Sequence, residues 1–533
     1  MIFIGKNLKK YDFISLLEEN PIMLKNIKRG LERETLRIKN NGELSDNPYP
    51  KPFGSSLTNK LITTDFSESS LEFITPVSKS VEKMIYMLKD IHIYVSKNLV
   101  NESLWFMSMP CVIRNEKNIQ IANYGNSNIG KVKTLYRYGL KNRYGVLMQM
   151  ISGMHYNFSF NRNFWNIYYK NKRIKKKKDL INKGYFQLIR NYYLFGWIIP
   201  YFFGASPGVH KFYLNNRNIN INFHKEKDLR YLKYSTSLRL SNIGYNSDIQ
   251  NSLNINFNSL KDYVFSLKKA LNTSYKKYEK LKGEKYINYY QINSNFLQIE
   301  NELYTLIRPK RNLEINEFLS DVLIKKGVEY VEIRSIDINP FEPIGVTKNQ
   351  IFFLDIFLVW CAIKYAPKIK NNDFIEVNKN WNKIILNGRN PKLSICLNNK
   401  STTKSFKEIV SKLFIDFYRI ANIFDYNNKN ENYKNACNEM YKIVDDPKKT
   451  LSYKILNLIK KYGIYEYGIK ISKNYLNKLN KEKLNFLNLN YFRKESYNSL
   501  KKQYFLEQND KLVFKNFLNR YINRVKYGKN KTF

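Results

Sequence analysis

Three short stretches alternate polar and apolar residues with a period of two, and they constrain the fold more than any other feature. Residues 30–38 read GLERETLRI, residues 154–160 MHYNFSF and residues 328–338 VEYVEIRSIDI. Successive side chains of a β-strand point to opposite faces. Glu32 and Glu34 therefore share a face, with Arg33 and Arg37 on the other. His155, Asn157 and Ser159 oppose Tyr156 and Phe158, and Glu332 and Arg334 share a face while Val331 and Ile333 pack behind. The segment TTDFSESSLEFITP adds Asp65, and it adds Glu72 within a strand, LEFIT, stopped by Pro76. After that stop, residues 82–98 read as an amphipathic helix, and residues 186–199 as a buried aromatic helix ending before Pro200.

These patterns predict an α+β protein. Strand-like alternation and glycine turns recur up to about residue 360, and from about residue 400 the texture changes to long Lys/Asn/Leu/Ile helical periodicity. The expected organisation is a sheet-bearing body over residues 1–395 and a helical part over residues 396–533 packed on it, with one continuous domain as the alternative. With 43% apolar and 15% aromatic residues spread along 533 positions, burial can offset chain entropy, so wholesale disorder does not fit. No repeat of 20–50 residues is visible, which disfavours a solenoid.

Cys111, Cys361, Cys396 and Cys437 are too few and too scattered for a disulfide framework or a zinc site, which points to a reducing compartment. The apolar stretches at 195–209 and 351–363 are interrupted by Pro200, Pro207 or Asp355, and fall short of the roughly 18–20 residues a membrane span needs. The N-terminus carries no cleavable apolar core, so a cytoplasmic protein without a membrane partner is expected. The net charge of +45 raises the question of nucleic acid. The lysine excess, however, travels with Asn, Ile, Tyr and Phe, residue types with AT-rich codons, so genome composition accounts for it and no specific nucleic-acid partner is expected.

Glu32, Glu34, Asp65, Glu72, His155 and Glu332 form an oxygen-dominated donor set with one imidazole, the kind that suits Mg²⁺ or Mn²⁺. Each acid alone is more often a surface salt-bridge partner. The set gains weight because its members lie on strand faces that could converge in one sheet. Neither a GxxxxGK[ST] phosphate loop nor a GxGxxG turn occurs, so a nucleotide would be held by metal ions and arginines, with Arg334, Arg239 and Arg308 as candidates. Arg239 and Tyr245 could together clamp a carboxylate. Residues 204–208, GASPG, match the nucleophile-elbow pattern, but Pro207 lacks the N–H an oxyanion hole needs there, so Ser206 reads as a turn residue. Residues 291–311 carry too many amides and charges for a core helix and read as a site-lining segment.

The motifs GLERETLRI, ITTDFSESSLEFITPV, SMPC, TLYRYGLKNRYG, QMISGMHYNFSF, FGASP, QINSNFLQIENELYTLIRPKR and VEYVEIRSIDINPF, in that order, closely resemble the proteobacterial glutamate–cysteine ligase family. The resemblance runs in register over about residues 15–395, with weaker agreement at 160–185 and 208–232. It implies a glutamine synthetase-like carboxylate–amine ligase fold, in which an antiparallel sheet curves into a funnel with helices outside. It implies ATP-dependent ligation of L-glutamate, through its γ-carboxyl, to L-cysteine, with Mg²⁺ as cofactor, ATP as co-substrate and a monomeric enzyme.

By the same resemblance, the metal ligands would be Glu32, Glu34, Asp65, Glu72, His155 and Glu332, and Arg334 would lie against the transferred phosphate. Tyr136, Arg137, Leu140, Gln149, Arg239, Tyr245 and Tyr304 would surround the amino-acid substrates, with Arg239, Tyr245 and Tyr304 near the cysteine carboxylate. Tyr138 departs from the pattern, standing where relatives are expected to carry an acid. Two rival readings stand beside this one: a related ligase with another amine acceptor, and a polyanion-binding protein with a vestigial site.

Overall fold

The alternating stretch at 30–38 lies in strand β1, Lys28–Lys39, near the middle of a seven-stranded sheet. The computed structural model describes residues 13–170, 177–215, 219, 221–244, 248–314, 317–396 and 403–527. The other strands of this sheet are β2 (Ile62–Thr64), β3 (Ser70–Ile74), β4 (Glu102–Leu104), β5 (Met154–Ser159), β6 (Ile307–Lys310) and β7 (Tyr330–Ile336). Their order is β2-β3-β1-β5-β7-β6, with β4 pairing the far end of β1. Every neighbouring pair is antiparallel. The sheet is open, and β6 forms one edge, where Pro309 can sit without depriving a second neighbour of a hydrogen bond.

Register decides which side chains meet. Glu34 lies opposite Glu72, Glu32 opposite His155, and Glu332 opposite Asn157. The expected alternation is therefore realised on three adjoining strands at once. On the reverse face Leu31, Arg33, Tyr156, Phe158, Val331 and Ile333 are all buried.

Helices cover that reverse face. The central one, Lys348–Ile363, begins at Thr347 with a capping box to Gln350 and is buried from Gln350 to Ile363. It packs on Lys177–Phe195 and on two C-terminal helices, Phe406–Asn428 and Asn432–Asp445. One continuous apolar core runs from Ile14 to Phe492 and so includes residues from both the sheet and the C-terminal helices. Further along, Ile464–Lys481 packs on the Val81–Asn98 helix, and Phe514–Tyr527 packs on Asn128–Tyr144.

Two readings of the sequence need correction. The aromatic helix predicted at 186–199 starts earlier, spanning Lys177–Phe195, and a second helix, Ile198–Phe203, follows it. Pro200 sits in the first turn of that second helix, where backbone N–H groups have no intrahelical partner and its missing donor costs nothing. Helical structure after residue 400 is preceded by a small hairpin, Ser394–Cys396 with Thr403–Ser405. No helix among the described residues is long and apolar enough to cross a membrane. The four cysteines are free, three of them buried. Most of the basic run at 170–179 lies outside the described residues, as does Tyr245.

A buried polar knot joins the layers. Asp355, the one acid in the central helix, is fully buried and accepts hydrogen bonds from Arg29 Nε at 2.8 Å, Tyr156 Oη at 2.6 Å and Tyr433 Oη at 3.0 Å. Arg29 stands on β1, Tyr156 on β5 and Tyr433 on the Asn432–Asp445 helix, so one carboxylate ties the sheet to the C-terminal part. Asp355→Ala leaves the Arg29 guanidinium buried without a counter-charge, and a loss of about 3–5 kcal/mol is expected in urea unfolding. A loss under about 1 kcal/mol would show that the pair is not a keystone.

Candidate active site

The polar face of the sheet gathers the acids around one imidazole. His155 Nδ1 lies 3.4 Å from Glu32 Oε2 and 3.7 Å from Glu332 Oε1, and its Nε2 lies 3.5 Å from Glu34 Oε1. Glu32, Glu72 and His155 can each offer a donor atom within 4.8 Å of the others. Asp65, just beyond β2, is tied to the cluster through its electrostatic coupling with Glu34 and Glu72. Of the six residues expected as metal ligands, Glu32, Glu72 and His155 form one close group, Glu34 and Glu332 border the imidazole, and Asp65 is linked to them by its charge alone.

The electrostatics match a site built for cations. Burial pushes the Glu72 carboxyl well above its ordinary pKa, and Glu32, Asp65 and Glu34 add repulsion that Arg334 only partly offsets. Asp65 is also raised, first by burial, with Arg137 opposing. Burial works the same way on Glu32, but the hydrogen bond from His155 and the charge of Lys310 outweigh it and its pKa falls. Glu332 is held below the usual carboxylate range because Lys310, Arg334 and Arg308 overcome burial. His155 Nε2 and Glu332 Oε2 are buried without a hydrogen-bond partner. An oxygen-rich set with unspent donor atoms and mutually repelling carboxylates fits a hard divalent cation.

Several groups hold the cluster in place. Asn157, which shares the His155 face, donates to Glu32 Oε1 at 2.7 Å, and the Gly153 N–H donates to Glu34 Oε2 at 2.7 Å. A Cβ at Gly153 would collide with the Arg239 guanidinium, so only glycine lets the two approach. Arg334 Nη1 donates to Glu332 Oε1 at 2.9 Å and lies 3.5 Å from His155 Nδ1, which puts this cation at the border of the acid cluster.

On the other side of Arg334 opens a cavity of about 310 Å³, whose wall includes Arg239, Tyr304, Gln250, Tyr193 and Trp381. Arg239 is buried, donates through Nη2 to the Arg334 carbonyl at 2.9 Å, and leaves Nε and Nη1 without a hydrogen-bond partner. Its nearest carboxylate, Asp337, stays 3.8 Å from Nη1. A buried guanidinium lining a cavity suits a carboxylate ligand.

The remaining expected residues divide. Gln149 Nε2 donates to Tyr304 Oη at 3.1 Å, so it reaches the cavity through Tyr304. Tyr136, Arg137 and Leu140 sit on the Asn128–Tyr144 helix and are not on the cavity wall. Arg137 instead faces the acids: it donates to the Asp65 carbonyl, lies 3.7 Å from Asp65 Oδ1, and stacks over Tyr124 at 4.4 Å. Arg308, expected as a phosphate ligand, donates to the backbone carbonyls of Asn301 and Leu303, so it holds its own loop while its charge still acts on Glu332. Ser206 forms a bridge with Ser237 and donates to Asp337 Oδ2 at 2.6 Å, a structural hydroxyl more than a simple turn residue. Tyr138 stacks on Tyr286 at 5.3 Å, away from the acids. Of the residues around Tyr304, Arg143 and Tyr144 fall in the TLYRYGLKNRYG motif and Glu302 in the 291–311 segment without being singled out, whereas Gln250 carries no pattern that would have marked it.

Comparison with known proteins finds relatives along nearly the whole chain. The profile of the glutamate–cysteine ligase family matches residues 14–384. The glutamate–cysteine ligase of Baumannia cicadellinicola subsp. Homalodisca coagulata is 46% identical over 508 residues, 95% of this chain and 97% of the relative. That of Wigglesworthia glossinidia brevipalpis is 47% identical over 499 residues, 93% of this chain and 98% of its own. Among solved structures, the glutamate–cysteine ligase of Francisella tularensis, determined in complex with AMP, superposes with a TM-score of 0.87 at 32% identity, covering 94% of this chain and 98% of that one. A bifunctional glutathione synthetase from Pasteurella multocida shares the fold, with a TM-score of 0.69 at 21% identity over 87% of this chain and 55% of its own. The open antiparallel sheet, its acid-lined face and this agreement along nearly the whole length lead to one conclusion: the chain belongs to the glutamate–cysteine ligase family.

Proposed function

We propose that this protein joins the γ-carboxyl of L-glutamate to the amine of L-cysteine at the expense of ATP, giving γ-L-glutamyl-L-cysteine, ADP and phosphate, the first step of glutathione synthesis. The observation that carries the reading is the adjacency, across Arg334, of an acid and imidazole cluster and a cavity lined by a buried guanidinium. The cluster suits a metal-bound triphosphate, and the cavity suits an amino-acid carboxylate.

A carboxylate is a poor acyl donor, and phosphorylation turns it into a good one. The γ-carboxylate oxygen of glutamate attacks the terminal phosphorus of ATP, ADP leaves, and γ-glutamyl phosphate results. The cysteine nitrogen then attacks its acyl carbon, and phosphate departs. Magnesium, with manganese as the alternative, would be held by Glu32, Glu34, Asp65, Glu72, His155 and Glu332, where it would offset the charge that keeps two anions apart.

The chain's own groups do the rest. Arg334 stands beside Glu332 with donors directed to the cluster, where it can neutralise charge on the transferred phosphoryl and on the tetrahedral oxyanion. Arg239 and Tyr304, both on the cavity wall, are assigned to the acceptor carboxylate, and Tyr245, which lies outside the described residues, is assigned to it by the family pattern alone. Tyr136 and Leu140 are assigned with Arg239, Tyr245 and Tyr304 to the acceptor pocket, Gln149 joins them through Tyr304, and Arg137 borders the amino-acid substrates while bracing Asp65. The enzyme is taken as a monomer in the cytoplasm, and its four free cysteines support a reducing compartment.

ADP release by the purified protein with Mg²⁺, ATP and glutamate should depend on cysteine, and mass spectrometry should identify γ-glutamylcysteine. Turnover with another amine but not with cysteine would move the acceptor specificity, and no turnover from folded protein would refute the reading. Glu332→Gln should cut turnover about 10²–10³-fold and raise the Mg²⁺ concentration needed for half-maximal rate, as expected for an electrostatic group at the reacting centre. An unaltered Mg²⁺ dependence would remove Glu332 from the ligand set. Arg239→Ala should chiefly raise the KM for cysteine, and unchanged cysteine kinetics would refute its role.

A further inference from the structure

Tyr304 is held on several sides by a buried polar network that none of the chemistry above uses. Gln250 accepts the Tyr304 backbone N–H through Oε1 at 2.7 Å. Its Nε2 donates to the Glu302 carbonyl at 2.8 Å and to Tyr144 Oη at 3.1 Å. Tyr144 donates in turn to Glu302 Oε1 at 2.8 Å, and its ring meets the Tyr304 ring edge-on with centroids 5.6 Å apart. Glu302 is paired with Arg143 at 3.0 Å, both side chains fully buried, and Glu302 Oε2 accepts the Gln298 N–H at 2.6 Å.

The amide of Gln250 is the joint of this assembly. Its carbonyl and both its N–H groups are engaged, so the side chain has one orientation, and that orientation sets the backbone of Tyr304 and the phenol of Tyr144 together. Buried networks of this kind rigidify when every member is satisfied. The phenol of Tyr304 is set independently, by Gln149 from the far side. Gln250 also comes from the same chain segment as Tyr245, five positions later in sequence.

We propose that Gln250 is a positioning residue for the amine acceptor: by locking the Tyr304 backbone and, through Tyr144 and Glu302, the Tyr304 ring, it sets the placement of the acceptor carboxylate between Tyr304 and Arg239. Glutamate and ATP, which use the acid-cluster side of Arg334, are outside its reach. The inference rests on the proposed contact between Tyr304 and the acceptor.

A double-mutant cycle in the full-length enzyme tests it, with Gln250→Glu, Tyr304→Ala and the double variant. The glutamate at 250 keeps the size of the side chain but turns its two donors into an acceptor facing the Glu302 carbonyl. Gln250→Glu should raise the KM for cysteine about ten-fold, with the KM values for glutamate and ATP within about two-fold of the parent, the scale of one or two misplaced hydrogen bonds. In the Tyr304→Ala background the same substitution should add little further. An equal rise in all three KM values, or a full additional rise on top of Tyr304→Ala, would overturn the positioning role. An unchanged KM for cysteine in Tyr304→Ala would instead overturn the acceptor contact itself. Gln250→Met, which keeps the volume and removes the polarity, separates the two roles if Gln250→Glu fails to fold: it should show the same cysteine-selective effect, and parent-like cysteine kinetics in a folded Gln250→Met would equally overturn the proposal.

Discussion

The pleat of β1 sets the terms for everything built around it. Its even-numbered residues Glu32 and Glu34 face the cleft, and its odd-numbered Arg29, Arg33 and Arg37 are driven into the opposite, buried face. Each of these cations must be answered inside the protein, because an unpaired charge in an apolar interior is costly. Arg29 is answered by Asp355, and Arg37 by Glu102 at 2.6 Å. Arg33 has no carboxylate: it stacks over Phe106 at 4.7 Å, donates to the Pro343 carbonyl and contacts His92, and burial pulls its pKa down to about 9. Three different elements are thereby anchored to the back of the strand whose front carries the acids.

That arrangement backs the crowded acids on the front of the sheet with buried ion pairs behind it. The sheet is stiffened from behind by ion pairs and helices, so repelling side chains on the front cannot splay the strands apart. Burial raises the pKa of Glu72 and Asp65 first, and the neighbouring carboxylates add to it. Glu332 escapes it because Lys310 and Arg334 stand beside it.

The C-terminal helices, which carry no group of the site, nonetheless bear on it. Tyr433 shares Asp355 with Arg29 and Tyr156, and the Phe514–Tyr527 helix packs on the helix that holds Tyr136 and Arg137. The large lysine excess is compatible with this arrangement because the buried network is built from arginines, tyrosines and acids, while exposed lysines at 404, 407 and 412 make only surface pairs with Glu408 or Asp445, which contribute little.

The sequence by itself determined what period-two alternation can encode: which residues of 30–38, 154–160 and 328–338 share a face, that the first and last of those faces carry carboxylates and the middle one an imidazole, and, through the ordered motifs, the family. It also showed Pro207 to be incompatible with a nucleophile elbow. Only the tertiary structure decided which strands are neighbours and in what register, hence that Glu32 meets His155 and Glu34 meets Glu72. The same holds for the roles that depend on distant partners. Arg308, a candidate for holding a nucleotide, braces its own loop, Ser206 is spent on Asp337, and Gln250 gains its place from residues more than 50 positions away. The physical reason is common to all of these: alternation is a local consequence of strand geometry, whereas hydrogen-bond partners and the burial of charge are set by chain segments that meet only on folding.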